Sequence, residues 1–455
     1  MRPWRLLIWL CWLGGLGLTQ AAWADFSLPY GTQGNQLDVT VIGAEHPTQP
    51  LFLWLTNQYG KTEGERALAH ALARRGATVW QVDLLDSLLL SRTNDSVRTL
   101  NGHAVAALID AGVKTGRPVV LVGLDRMAVP ILRGLHHWQR SVQNTRAVAG
   151  AILLFPNLYR GTPVAGVQPQ FLGIVSATNM PVMILEPERG VNRNRLGQLL
   201  DQLQTAGSPA FAHIIPDVRD YFPLHLHEAQ NDTLTHLPAL MKPYEARAMQ
   251  QLPAQLLRFT SLLAQAPHPT RVLPIDEALE KPLQQQFGLI AHEPPPPAHN
   301  FDLPDVEGNL VRLMAPGQPM AGVTLVNFWA SWCPHCVEEI PSMKALAGHY
   351  APSQLRVLSI NFKESPQEVS TFIQPFGLNF PVLLDRDGSV AKQWGVFAFP
   401  SSFLVDAQGR VRYSVNASID WDAPKVRALI DQLLAHSPMK PAPMTPAAVS
   451  SDASK

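Results

Sequence analysis

The run Leu325-Val-Asn-Phe-Trp-Ala-Ser-Trp-Cys-Pro-His-Cys-Val-Glu-Glu-Ile-Pro341 constrains this chain more than any other stretch. An apolar segment of strand length leads straight into two cysteines two residues apart, and a helix-like segment leads out. Such a handover places Cys333 at a helix N-terminus, where unpaired backbone N–H groups and the helix dipole favour a thiolate. A low-pKa thiolate with a second thiol one turn away is the working part of a disulfide exchanger.

Cysteine usage supports chemistry over stapling. The chain has 455 residues and three cysteines, and Cys11 lies in a leader-like N-terminus. There Arg2 and Arg5 form a basic n-region, Leu6 to Leu18 an apolar core, and Ala22-Trp23-Ala24 a small-x-small cleavage site. The core is too short to span a bilayer comfortably. Residues 1–24 therefore read as a signal peptide cleaved near Ala24, which predicts a periplasmic protein with no stable membrane span after cleavage. Two cysteines in so long a mature chain are too few for a structural disulfide framework. The leader takes two of the 36 basic residues and none of the 36 acidic ones, leaving a net charge near −2. No basic excess points to nucleic acid.

Pro294 to Pro297 divide the chain. A run of four prolines favours extended polyproline II and reads as a stiff spacer. The expected organisation is a first domain over residues 25–265, a connector with the proline run over 266–299, a second domain over 300–436, and a disordered tail over 437–455. In the first domain, short apolar runs at Leu51–Thr56, Thr78–Leu84, Pro118–Gly123, Ala151–Phe155, Pro181–Leu185 and Phe211–Ile215 alternate with amphipathic pieces such as Glu63–Arg75, Val97–Val113 and Asn194–Ala206. This alternation predicts an α/β fold with a mostly parallel sheet covered by helices on both faces.

The second domain reads differently. A hairpin over Phe301–Leu313 turns at Glu307-Gly308-Asn309. A buried strand over Val323–Phe328 then meets a helix from Cys333 to Ala347 that contains Pro341. Leu355–Asn361 is the next strand. Ser365-Pro366-Gln367-Glu368 combines an N-cap, a first-turn proline and a capping-box acid, so a helix starts there. Strands over Phe380–Leu384, Ser402–Val405 and Val411–Val415 and a helix from Pro424 to Ala435 complete the expectation.

This order of elements, with Asn327-Phe328-Trp329-Ala330-Ser331-Trp332-Cys333, then Glu339-Ile340-Pro341, then Phe380-Pro381-Val382-Leu383-Leu384-Asp385 and Gly395-Val396-Phe397-Ala398-Phe399-Pro400, resembles the TlpA/ResA-like thiol:disulfide oxidoreductases of the thioredoxin superfamily. The resemblance spans about residues 298–436. It implies that Cys333 attacks and Cys336 resolves the mixed disulfide. Pro334 and His335 would tune the thiol pKa, with a protonated His335 adding positive charge. Pro400 matches the family's cis-proline, the backbone of Phe399 would pair with an extended substrate, and Trp332 would wall the site; Trp329 suits either wall or core. No cofactor beyond the redox-active Cys333–Cys336 pair is implied, and zinc would need histidines at spacings the sequence lacks. The implied partners are exported protein thiols or disulfides, with a membrane thiol-transport protein as electron donor. Two departures stand out. Some relatives have a buried acid in the dipeptide or on the preceding strand, where this chain has Pro334 and Asn327, and Glu338 and Glu339 read as solvated helix acids. The Pro-His dipeptide also resembles that of strongly oxidising enzymes, against a reductase-like scaffold.

The first domain loosely resembles an α/β-hydrolase. Pro118-Val-Val-Leu-Val-Gly-Leu-Asp-Arg-Met127 falls where a strand–elbow–helix is expected, with Asp125 at the nucleophile position and Met127 replacing the second glycine. Thr56-Asn57-Gln58-Tyr59-Gly60 stands at the oxyanion loop, and Glu186, Glu188, His225 and His227 are candidate triad partners of poor spacing. His136 and His137 suit surface or core better than metal. Three functions therefore compete: a periplasmic oxidoreductase whose non-catalytic hydrolase-like domain serves recognition; a hydrolase using Asp125 with an accessory redox module; and a non-catalytic binding or chaperone-like scaffold whose dithiol is vestigial. The first is favoured, more as reductase than oxidase, with cytochrome c maturation among its expected settings.

Overall fold

The computed structural model describes residues 25–32, 34–44, 48–224, 241–283, 288–314, 320 and 322–435. The expected leader, His225, His227 and the tail from 437 onward lie outside the described residues.

The first domain is built on eight strands: β1 (Phe26–Tyr30), β2 (Asn35–Ile42), β3 (Leu51–Leu55), β4 (Thr78–Val82), β5 (Val119–Leu124), β6 (Val148–Leu154), β7 (Val182–Pro187) and β8 (Ala210–Ile215). Their spatial order is β1-β2-β4-β3-β5-β6-β7-β8. Strands β4 to β8 pair in parallel, whereas β1, β2 and β4 pair antiparallel. Strands β3 to β7 are buried at every position, which is why they read as unbroken apolar runs rather than alternating ones. The β1–β2 hairpin adds to the expected strands; it alternates partly buried Phe26, Leu28 and Tyr30 with exposed residues and turns at Gly31. The stretch Val97–Val113 forms two helices, Asn94–Thr99 and His103–Val113, because the chain breaks at Leu100-Asn101-Gly102.

Helices cover both faces of this sheet. On one, Leu108, Leu132 and Leu135 pack over Leu53 and Leu121. On the other, the helix Pro243–Gln265 lays Leu252, Leu256 and Leu263 into a cluster with Phe52, Trp54 and Val122. The connector is not free-standing. Leu273 and Ile275 pack on the first core, and Glu280 pairs with Arg133 at 2.5 Å.

The second domain begins within the same connector. Strand β9 (Ile290–Ala291) joins its sheet, followed by β10 (Asp302–Pro304), β11 (Leu310–Arg312), β12 (Val323–Trp329), β13 (Leu355–Phe362), β14 (Val382–Asp385), β15 (Ser401–Asp406) and β16 (Val411–Val415). Strands β10 and β11 form the expected hairpin, and the main sheet runs β14-β13-β12-β15-β16-β9. The expectation of a proline spacer needs correction here. Pro296 O accepts from Val411 N at 2.9 Å, Ala298 N donates to Gly409 O at 2.8 Å, and Pro297 bridges Arg410. Prolines lack an N–H but retain carbonyls, so an extended run can dock along a sheet edge. The helix Pro366–Ile373 opens on the predicted capping box of Ser365 and Glu368.

The two domains meet in a polar seam. Asn416 Nδ2 donates to Pro163 O at 2.8 Å, Lys363 Nζ to Glu188 O at 3.1 Å, and Arg195 Nη2 to Val396 O at 2.9 Å. Ala165, from the first domain, sits inside the apolar core of the second. Among the described residues no helix is long and apolar enough to cross a membrane.

Candidate active site

Strand β12 ends at Trp329, and four residues later the helix Pro334–His349 begins with Cys333 as its N-cap. Pro334 occupies the first helical position, where no N–H is needed. Cys333 and Cys336 are joined as a disulfide with Cα atoms 5.3 Å apart. The backbone N–H of Cys336 donates to Cys333 Sγ at 3.2 Å. In the reduced protein the same donor, with the helix dipole, would stabilise a thiolate on Cys333. Cys333 is 7 % exposed and Cys336 1 %, so the first sulfur is the reachable one.

The loop before the dithiol is held by an acid that the sequence did not disclose. Glu364 is buried, and accepts from Ser331 N at 2.7 Å, Ser331 Oγ at 2.5 Å and Asn361 Nδ2 at 2.7 Å. His335 is exposed, with its Nδ1 3.1 Å from Glu338 Oε2. Trp332 packs edge-on to Phe399 at 5.8 Å. Trp329 belongs to the core and lies 5.7 Å from Phe372, so of the two tryptophans only Trp332 reaches the site. The Phe399–Pro400 peptide is cis, and Pro400 is buried.

Glu339 corrects the reading of solvated helix acids. It is 2 % exposed and sits one turn beyond Cys336 on the same helix. Burial pushes its carboxyl up to about 8, against the opposing hydrogen bonds from Asn327 and Trp421. Asn327 Nδ2 donates to Oε1 at 2.7 Å and Trp421 Nε1 to Oε2 at 3.2 Å. The signal that could have found it is helical spacing: Cys336, Glu339 and Ile340 share the face turned to the sheet. Glu338 does remain exposed.

From the other side, the first domain closes over the dithiol. A cavity of about 320 Å3 lies between the domains, lined by Trp332, Cys333, Phe397, Ala398 and Phe399 from one and Gln58, Arg126, Asn157 and Asp220 from the other. Asp125 stands at the tip of β5 with φ +50°, paired to Arg126 Nη1 at 2.6 Å. The turn after β5 is tight: a Cβ on Gly123 would come 2.6 Å from Ile131 Cδ1. Met127 fits in the second glycine's place because it is turned into the core. Of the proposed triad partners, the two described ones, Glu186 and Glu188, do not bond Asp125, which pairs with Arg126. Glu188 accepts from Asp217 N at the surface. Glu186 is buried at the end of β7, and burial, then the nearby Asp220, pushes its carboxyl up. Asp220, which the sequence reading missed, is raised to about 7 by burial, with Asp125 adding to the effect. His136 bonds Leu273 O, and among the described residues no cluster of metal-binding side chains occurs.

Residues 296–414 match the AhpC/TSA family model. The thiol-disulfide oxidoreductase ResA of Geobacillus thermodenitrificans is 35 % identical over 122 residues, which cover 27 % of this chain and 68 % of that protein. The chain belongs, through its second domain, to the ResA-type thiol-disulfide oxidoreductase family. The ResA protein of Bacillus thuringiensis subsp. konkukian is 36 % identical over 114 residues, 25 % of this chain and 64 % of that protein. This chain thus spans somewhat under two thirds of the length of that ResA. The thiol:disulfide interchange protein DsbE of Allochromatium vinosum is 36 % identical over 128 residues, 27 % of this chain and 67 % of that protein. The crystal structure of StoA from Bacillus subtilis aligns over 29 % of this chain and 95 % of that one, at 24 % identity and a TM-score of 0.25. The family match over residues 296–414 falls within the thioredoxin-like second domain.

Proposed function

We propose that this protein is an exported, periplasmic thiol:disulfide oxidoreductase that works through Cys333 and Cys336. The observation that carries the reading is a ResA-type dithiol whose outer sulfur caps a helix and opens, beside the cis Phe399–Pro400 loop, into a cavity. Thiolate Cys333 attacks a substrate disulfide, one substrate sulfur leaves, and Cys336 then displaces the other from Cys333. Glu339, buried one helical turn past Cys336 and bonded by Asn327, is read as the group that takes up the proton of Cys336. His335 and Pro334 bias the first thiol towards its charged form.

Exported protein thiols or disulfides are the proposed substrates, and reduction the favoured direction, with a membrane thiol-transport protein resupplying electrons. Apocytochrome thiols are one such substrate class. The first domain is read as a non-catalytic α/β-hydrolase-like unit. Its strand order, antiparallel β2 and strained turn at Asp125 support that assignment, and the Asp125–Arg126 ion pair argues against a nucleophilic carboxylate.

The test is direct. Purified full chain should reduce insulin or oxidise a dithiol at a rate that Cys333→Ser abolishes. Reduced Cys333 should also alkylate at neutral pH, and an inert thiol there would refute the reading. The reduction potential decides direction: about −270 mV marks a reductant and about −120 mV an oxidant. N-terminal sequencing of the protein recovered from a periplasmic fraction checks cleavage near Ala24.

A further inference from the structure

Several residues lining the cavity above Cys333 carry buried hydrogen-bonding atoms without a partner. Native proteins leave few buried polar atoms without a partner, and each such atom calls for an explanation. Five atoms of this kind belong to residues lining this one cavity: Gln58 Oε1, Arg126 Nε, Asn157 Oδ1, Asn192 Oδ1 and Trp332 Nε1. Gln58, Asn157 and Trp332 are 8 %, 6 % and 9 % exposed, so solvent does little to satisfy them. They come from both domains, so the set exists only when the domains are docked. The end torsions of Asn and Gln are broad, so small rotations turn their oxygens towards a guest.

The set is complementary in kind to one class of molecule. Three amide oxygens accept, and the Asp220 carboxyl beside them offers further acceptor oxygens. Two N–H groups donate, one of them cationic. An α-ammonium group needs the first set, and an α-carboxylate needs the second. A volume of about 320 Å3 lies at the small end of ligand sites and is far below what a folded protein surface needs. With Cys333 7 % exposed beneath this roof, a guest must be slender enough to enter the cavity before it meets the sulfur.

We propose that the interdomain cavity is a binding site for a small zwitterionic disulfide, an amino-acid or short-peptide disulfide of the cystine type. This rests on the dithiol reading above but assigns the cavity a small-molecule disulfide in place of a protein one. The Cys333 thiolate attacks one sulfur of the guest, whose S–S bond breaks. The first half leaves as a thiolate and takes a proton from water. The Cys336 thiolate then attacks Cys333 Sγ and expels the second half. The guest gains two electrons and becomes two thiols, while the protein dithiol becomes the Cys333–Cys336 disulfide.

The experiment mixes pre-reduced full-length protein with cystine, with bis(2-hydroxyethyl) disulfide, which lacks both charged groups, or with insulin, and measures thiol release per disulfide. Cystine should react fastest. Arg126→Met and, as an independent loop variant, Asn192→Ala should each lower the ratio of cystine to hydroxyethyl disulfide rates by about tenfold, through KM more than kcat, since a charge-assisted hydrogen bond is lost. The uncharged disulfide serves as each variant's own reference for folding. An unchanged ratio in both variants would overturn the proposal, and so would insulin reacting faster than cystine. If none of the three oxidises Cys333, the oxidoreductase reading itself falls. If hydroxyethyl disulfide or insulin reacts and cystine has no advantage, only the cavity proposal falls.

Discussion

The side-chain amide of Asn327 donates a 2.7 Å hydrogen bond to Oε1 of Glu339, fixing a buried acid beneath the dithiol. Asn327 lies on β12 and Glu339 on the helix that follows, so the bond ties together the two elements that present Cys333. With Trp421 donating to the other oxygen, the carboxylate has a partner on each side when it ionises. The site therefore holds an acid that titrates near the pH at which thiols ionise.

Glu339→Gln should separate this role from packing. The folded carboxyl is raised from its ordinary 4.5 to about 8, so the folded state holds its proton over that window while the unfolded chain has lost it. Stability from this group is full below about 4.5 and is lost as pH rises through about 8. Unfolding free energies of the wild type from urea titration should fall across that window, by an amount on the order of 4–5 kcal/mol. The Gln variant should show a flatter profile. In single-turnover assays, resolution by Cys336 should accelerate near pH 8 in the wild type and lose that inflection in the variant.

Arg195 reaches across the domain seam to the loop that precedes the cis peptide. Its Nη2 donates to Val396 O at 2.9 Å and Gly395 O at 3.3 Å, and its guanidinium lies 5.5 Å from the Phe397 ring centroid. Arg195→Ala leaves both carbonyls short of a donor, at a cost of about 1–3 kcal/mol. The expected outcome is a lower thermal midpoint and faster alkylation of reduced Cys333, because the roof over the cavity loosens.

Gly395 makes the same seam close. It holds φ +65°, and a Cβ there would come within 3.1 Å of Gly166 O. Gly395→Ala combines left-handed strain, about 1–2 kcal/mol, with a clash against the other domain's backbone. Hydrogen exchange should rise on both sides of the seam, around 163–166 and 395–399, while the β12–β13 pairing stays protected.

Legibility followed how local each cause was. The strand into Cys333, the capping box at Ser365 and the helix Pro424–Ala435 are set by neighbours in sequence, and the chain spells them out. Glu339 was misjudged because its burial depends on Trp421, 82 residues away. Glu364 went unnoticed because it acts on Ser331, 33 residues earlier, through its side chain. The cavity was invisible for the same reason: Gln58, Asn157 and Cys333 meet only after two sheets have formed and docked. The proline run looked like a spacer because composition reports backbone stiffness and says nothing of which edge accepts it.

Asp125→Asn tests whether the strained turn is chemical or structural. The Asp125 and Arg126 side chains are 8 % and 11 % exposed and bond at 2.6 Å, with Arg98 also buried nearby. Removing the Asp125 carboxylate leaves the buried Arg126 guanidinium facing a neutral amide, while Arg98 keeps its pairing with Asp95. Breaking such a pair from one side costs about 3–5 kcal/mol. A nucleophilic Asp125 would instead appear as ester turnover in the wild type that the variant lacks. The ion pair orients the carboxylate towards Arg126, so wild type and variant should both leave p-nitrophenyl acetate at its background rate while the variant unfolds at markedly lower urea. Ester turnover that vanishes in the variant, with stability intact, would return the first domain to the hydrolases.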